Sequence, residues 1–111
     1  MIAVMNRIPV HPDYREAFEA RFSDRAALVD GMAGFVAFRL LRPTAEDDPY
    51  IVMTFWETKA HFEAWTQSAA FKEGHARAGR LPPDAFRGHP KIEVMEIIQE
   101  AVAGSVLKQA G

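Results

Sequence analysis

A chain of 111 residues, 49% hydrophobic and 25% charged, has the composition of one globular domain and not of a disordered segment. Its formal net charge of −2 leaves no electrostatic footprint for nucleic acid. The absence of cysteine excludes disulfides and thiolate metal ligands and suits a reducing compartment.

No apolar run reaches the roughly 18 residues of a membrane span. The first ten residues, MIAVMNRIPV, have no basic n-region and are interrupted by Asn6 and Arg7, so no signal peptide is expected. The expectation is a soluble cytoplasmic protein with neither a membrane nor a nucleic-acid partner.

Residues 2–10 are apolar and rich in β-branched types, which predicts a strand ending at Pro9–Pro12. Asp13 then starts a helix, DYREAFEARFSDRAALV, with Glu16 as its capping-box partner. Tyr14, Phe18 and Phe22 recur at i, i+4 and i+8 and form its apolar face. Ser23–Asp24 is a candidate kink, and Gly31 and Gly34 are the stop. GFVAFRLLRP (34–43) and YIVMTFWE (50–57) follow as strands, and the short acidic link between them predicts an antiparallel hairpin. Thr58 can cap a helix over 59–66, and Ser68 a second short one running through His75. Gly and Pro break residues 79–90 into a loop, KIEVMEIIQE (91–100) is the last strand, and the tail 101–111 reads as weak helix or a frayed end.

The order β-α-β-β-α-β is that of an α+β, ferredoxin-like domain over residues 1–100, followed by the tail. Two helices cover only one face of its sheet. Alternation, however, makes both faces apolar: Ile2, Val4 and Ile8 oppose Ala3 and Met5, and Val52 and Trp56 oppose Ile51, Met53 and Phe55. A sheet apolar on both faces needs a second cover, so a homodimer is expected, its two sheets packed into a dimeric α/β barrel.

Three residues stand out chemically. Asn6 is an amide on the apolar face of the first strand: either it bonds neighbouring backbone or it is aimed at a ligand. His75 ends the second short helix, where it is a solvated dipole partner or a metal ligand. Trp65 follows Phe62 by three residues and His61 by four and on spacing alone reads as a core aromatic, as do Phe22 and Phe71. His11, His61 and His89 are the other histidines. No two of the four have the close spacing of a zinc motif.

Asn6-Arg7 in the first strand and the run FWETKAHFEAWTQSAAFKEGH together resemble the IsdG-type haem-degrading monooxygenases of the antibiotic biosynthesis monooxygenase (ABM) superfamily. GFVAFRLLRP is also similar to that superfamily's second strand, so the resemblance spans residues 1–100. It implies that haem is both cofactor and substrate, opened oxidatively with O2 and an external electron donor, so that iron is released. His75 would be the axial ligand of the iron and Asn6 the hydrogen-bond donor on the opposite side. Trp65 would be the side chain that ruffles the macrocycle, with Phe22 and Phe71 as pocket walls. The electrons must come from a reductase that the sequence does not name. Arg21, Arg25, Arg77, Arg80 and Arg87 are candidates for the haem propionates, and the 79–90 loop is a candidate lid. The alternatives are a cofactor-free quinol or aromatic monooxygenase of the same superfamily, and a non-enzymatic dimeric binding module.

Overall fold

The computed structural model describes residues 1–22, 31–77 and 81–103, with 74–77 described by backbone alone. Four strands, β1 (Ile2–Ile8), β2 (Phe35–Leu41), β3 (Tyr50–Trp56) and β4 (Lys91–Glu96), form one antiparallel sheet in the order β2-β3-β1-β4. With helices α1 (Arg15–Ala20), α2 (Lys59–Thr66) and α3 (Ala69–Arg77), this is the ferredoxin-like arrangement that the element order predicts. The sheet is open.

The last strand is shorter than its apolar pattern suggests. β4 pairs only with β1, and Glu96 lies opposite Ile2, the first residue of β1. Beyond Glu96 no ladder partner remains; a single bond from Ile97 N–H to Met1 O closes the pairing. Residues 97–100 are therefore not strand, although Ile97 and Ile98 continue the apolar run. The first strand likewise ends at Ile8, and Val10 makes only an isolated bridge to Phe86.

The first helix also starts differently. His11, not Asp13, caps the chain's entry: its Nδ1 accepts the Asp13 N–H at 3.1 Å ahead of a 3₁₀ turn over Pro12–Tyr14. Pro12 suits that first position because it has no N–H to satisfy. The proposed kink at Ser23–Asp24 lies outside the described residues. The other two caps are as expected: Thr58 Oγ1 accepts the His61 N–H at 3.1 Å, and Ser68 Oγ accepts the Phe71 N–H at 3.1 Å.

Two apolar clusters lie on the helix side of the sheet. One holds Ile8, Val10, Phe18, Phe22 and Tyr50; the other holds Ile2, Val4 and Trp56, with Phe35, Phe62 and Trp65 packed on it. Phe18 ties α1 to the sheet through ring contacts with Tyr50 and Phe22 at 4.8 and 5.1 Å. Glu19 adds a polar latch beside them, accepting hydrogen bonds from Arg42 and from the Tyr50 hydroxyl. Those donors, Arg42 foremost, hold its carboxyl at about 2, well below the usual carboxylate range.

The opposite face has no described helix on it. By register it presents Ala3, Met5, Ile51, Met53, Phe55, Ala37, Leu41 and Met95. Arg7 is bonded there to Glu93 at 2.5 Å, and Arg39 lies over the Phe55 ring. The alternation read from the sequence thus holds on both faces.

Candidate active site

On β1 the helix-facing residues run Ile2, Val4, Asn6, Ile8. Val4 belongs to one apolar cluster and Ile8 to the other, and Asn6 stands between them. A cavity of about 320 Å³ opens at that gap, toward the lower end of small-molecule pockets. α1 contributes Phe18, followed by Arg21 and Phe22. α2 contributes Phe62, Trp65 and Thr66, and α3 contributes Phe71. The sheet supplies the floor, with Val52 and Thr54 beside Asn6.

Four of the five candidate residues named from the sequence, Asn6, Trp65, Phe22 and Phe71, line this one cavity. Asn6 Oδ1 is buried and has no hydrogen-bond partner, so it is not the strand asparagine bonded to neighbouring backbone at that atom. A half-turn of the amide exchanges oxygen and nitrogen, so the group can offer either an acceptor or a donor. Trp65 Nε1 is likewise buried without a partner. Each such atom costs on the order of 1–3 kcal/mol, so two on one cavity wall mark a surface that a ligand or water completes.

Trp65 is held by aromatic neighbours rather than by a hydrogen bond. Its ring lies 5.4 Å from Trp56 at 33° and meets Phe71 edge-on at 4.8 Å. Trp56 is fully buried, and its Nε1 donates to Thr54 Oγ1 at 3.0 Å. The reading of Trp65 as a core aromatic and its reading as a cavity wall are therefore both true.

His75 lies in α3, four residues after Phe71; its side chain is outside the described residues. Two of the other histidines have structural tasks. His11 caps the 3₁₀ turn, and His61 Nδ1 lies 2.7 Å from Thr58 Oγ1. The His61 side chain lies against Gly34, whose φ of +78° admits no side chain easily and where a Cβ would collide with His61. Among the described residues no group of three His, Asp or Glu side chains could hold a metal ion.

Of the arginine candidates, Arg21 lines the cavity, whereas Arg87 is bonded to Asp47 at 3.0 Å. Arg25, Arg80 and the Arg77 side chain lie outside the described residues. The described part of the 79–90 loop packs against the chain just after β1. Ala85 is fully buried, His11 N–H bonds to Ala85 O, and Arg87 N–H bonds to Pro9 O. Phe86 and Pro90 face the cavity from that loop.

Sequence reasoning missed Thr54, Thr66, Phe86 and Ile92 as lining residues. For Thr54 a signal existed, since it alternates with Val52 and Trp56 and so shares their face. Phe86 lies in a segment with no periodicity, and nothing local marks it.

The family profile described as antibiotic biosynthesis monooxygenase matches residues 1–77. The chain belongs to this family. Among its relatives, a haem oxygenase (staphylobilin-producing) of Staphylococcus haemolyticus is 38% identical over 77 residues, 68% of this chain and 73% of that protein. A haem oxygenase (mycobilin-producing) of Mycobacterium tuberculosis is 36% identical over 103 residues, 93% of this chain and 95% of that protein. A solved structure of the M. tuberculosis haem-degrader MhuD, with two haems in its active site, superposes with a TM-score of 0.73. It is 29% identical, and the match covers 92% of this chain and all of that one. The family's fold, an α+β sheet with helices on one face, is the fold described above.

Proposed function

We propose that this protein is a haem-degrading monooxygenase that binds haem in the cavity at Asn6 and opens the porphyrin ring, releasing iron. The observation that carries this reading is the meeting of Asn6 and Trp65, each with an unpartnered buried polar atom, on one largely apolar cavity. A flat apolar macrocycle suits walls made of Phe18, Phe22, Phe62, Trp65 and Phe71. The relatives' haem oxygenase activity supports the same assignment.

Bound haem supplies both the iron that activates O2 and the carbon that is oxidised, with electrons from an external donor. His75 would hold the haem iron through its imidazole. The support is its spacing: positions i and i+4 of a helix share a face, and Phe71, four residues earlier, lines the cavity. Asn6 aims its amide across the cavity as a donor. Trp65, backed by Trp56 and Phe71, is a rigid indole that presses on the macrocycle rather than yielding to it.

Haemin titration, followed by ascorbate in air with catalase present, tests this. A saturable Soret band that decays with iron release is the expected result, and His75→Ala should lose the band. Saturable binding without decay with several electron donors would make the protein a haem carrier. No saturable binding would overturn the haem reading in favour of quinol-type substrates.

The apolar sheet face with no described helix on it supports a homodimer, with Met5, Met53, Phe55 and Met95 of two copies packed together. Light scattering at micromolar concentration should return the mass of two chains, and a monomer's mass would refute this.

A further inference from the structure

The half-turn of the Asn6 amide leaves open which end it offers a ligand, and the cavity floor carries a residue that can decide this. Thr54 lines the same cavity and is 5% exposed. Strand register pairs Val4 with Thr54 and Asn6 with Val52, so Thr54 and Asn6 are diagonal neighbours on the helix-facing side of β1 and β3. Diagonal neighbours lie about 7–8 Å apart, close enough for polar side chains to share one water.

A hydroxyl has one proton and two lone pairs. Trp56 Nε1 donates to Thr54 Oγ1 at 3.0 Å, and an indole N–H can only donate, so toward Trp56 the hydroxyl is fixed as acceptor. Its own proton is left for an acceptor elsewhere on the floor. Asn6 Oδ1 is a sealed acceptor without a protein partner on the same face. With the amide oxygen toward Thr54, both groups can be satisfied. With the nitrogen there, the hydroxyl proton meets a second donor and loses its acceptor. Trp65 Nε1 is another unpartnered donor on the cavity, but α2 carries it, so strand register does not fix its place relative to Asn6.

We propose that Thr54 is the positioning residue for Asn6: its hydroxyl proton, acting through one water on Asn6 Oδ1, holds the amide oxygen toward β3 and turns Nδ2 and its hydrogens toward the ligand. The bonds run one way, from Trp56 to Thr54 to the water to Asn6. A buried core indole thereby decides that the ligand meets a donor and not an acceptor. A ligand atom with a lone pair is selected at this spot over one that carries a proton. The inference deepens the haem reading, in which Asn6 is a donor, and rests on it for that task.

Asn6 is the only asparagine of the chain, so isotopically labelled asparagine gives one side-chain amide signal in the NMR spectrum. The ligand-free protein is compared with Thr54→Val, which keeps the shape but removes the hydroxyl, and Thr54→Ser, which keeps the hydroxyl but loses a methyl group. The Nδ2 resonance should move upfield in Thr54→Val, because a bond accepted at Oδ1 draws electron density away from the nitrogen. It should stay near the wild-type position in Thr54→Ser. No movement in Thr54→Val would overturn the proposal. An equal or larger movement in Thr54→Ser would assign the effect to packing and overturn it as well. Haem degradation is the second readout: Thr54→Val should slow it about tenfold, the scale of one hydrogen bond, and Thr54→Ser should keep most of the rate. In an Asn6→Leu background the Thr54→Val change should cost nothing further, and an equal slowing there would show that Thr54 acts without Asn6 and sink the idea. If the wild type degrades no haem, the haem reading falls, and the amide signal still decides whether Thr54 holds Asn6.

Discussion

Replacing Trp56 with alanine should cost about 3–5 kcal/mol of folding free energy, the usual range for deleting a fully buried large aromatic. For a domain of this size that is a fall in melting temperature on the order of 15 °C or more. The magnitude follows from what the indole touches. Phe35 meets it edge-on at 5.5 Å, Phe62 and Trp65 lie tilted against it at 6.2 and 5.4 Å, and Ile2 and Val4 share its cluster. The Nε1 bond to Thr54 adds a second cost that can be separated. Thr54→Val leaves that buried N–H without an acceptor and should cost about 1–3 kcal/mol. In a Trp56→Phe background, where no N–H remains, the same change should cost much less. Urea unfolding of the wild type and these four variants measures both effects. A loss below about 1 kcal/mol for Trp56→Ala would mean that the cluster around it is not a core.

The second large effect is on turnover and should leave stability behind. Asn6→Leu removes the amide from the cavity floor and places an apolar side chain of similar volume between Val4 and Ile8. Because Asn6 Oδ1 already lacks a partner, its removal should leave the melting temperature unchanged or raise it. Haem degradation with ascorbate should slow on the order of 100-fold, as when one aimed hydrogen-bond donor is taken from a catalytic site. The opposite movement of the two readouts is the signature of a residue kept for function at a cost in stability. A matched fall in both would mark Asn6 as structural and weaken the haem-degrading reading.

Features that depend on near neighbours were legible from the residues alone. Thr58 and Ser68 cap their helices because a cap bond spans only three residues. Alternation in β1 and β3 assigned Ile2, Val4, Ile8 and Trp56 to one face because side-chain direction in a strand has period two. Asn6, Trp65, Phe22 and Phe71 could be named as candidates because an amide on an apolar face and aromatics at helical spacing are visible in one dimension. Even so, the family resemblance, and not the spacing, chose their roles.

What depended on partners distant in the chain could not be read that way. The last strand stops at Glu96 because its only neighbour begins at Ile2, whatever the apolar character of Ile97 and Ile98. Asn6 faces a cavity because two apolar clusters, drawn from both ends of the sheet, stop short of each other beside it. That Arg21 lines the cavity and Arg87 does not is decided by how α1 packs on the sheet, not by anything local to either arginine. Local hydrogen bonding and periodicity are written residue by residue, whereas ladder ends, cavities and the surroundings of a charge arise from contacts between segments many residues apart.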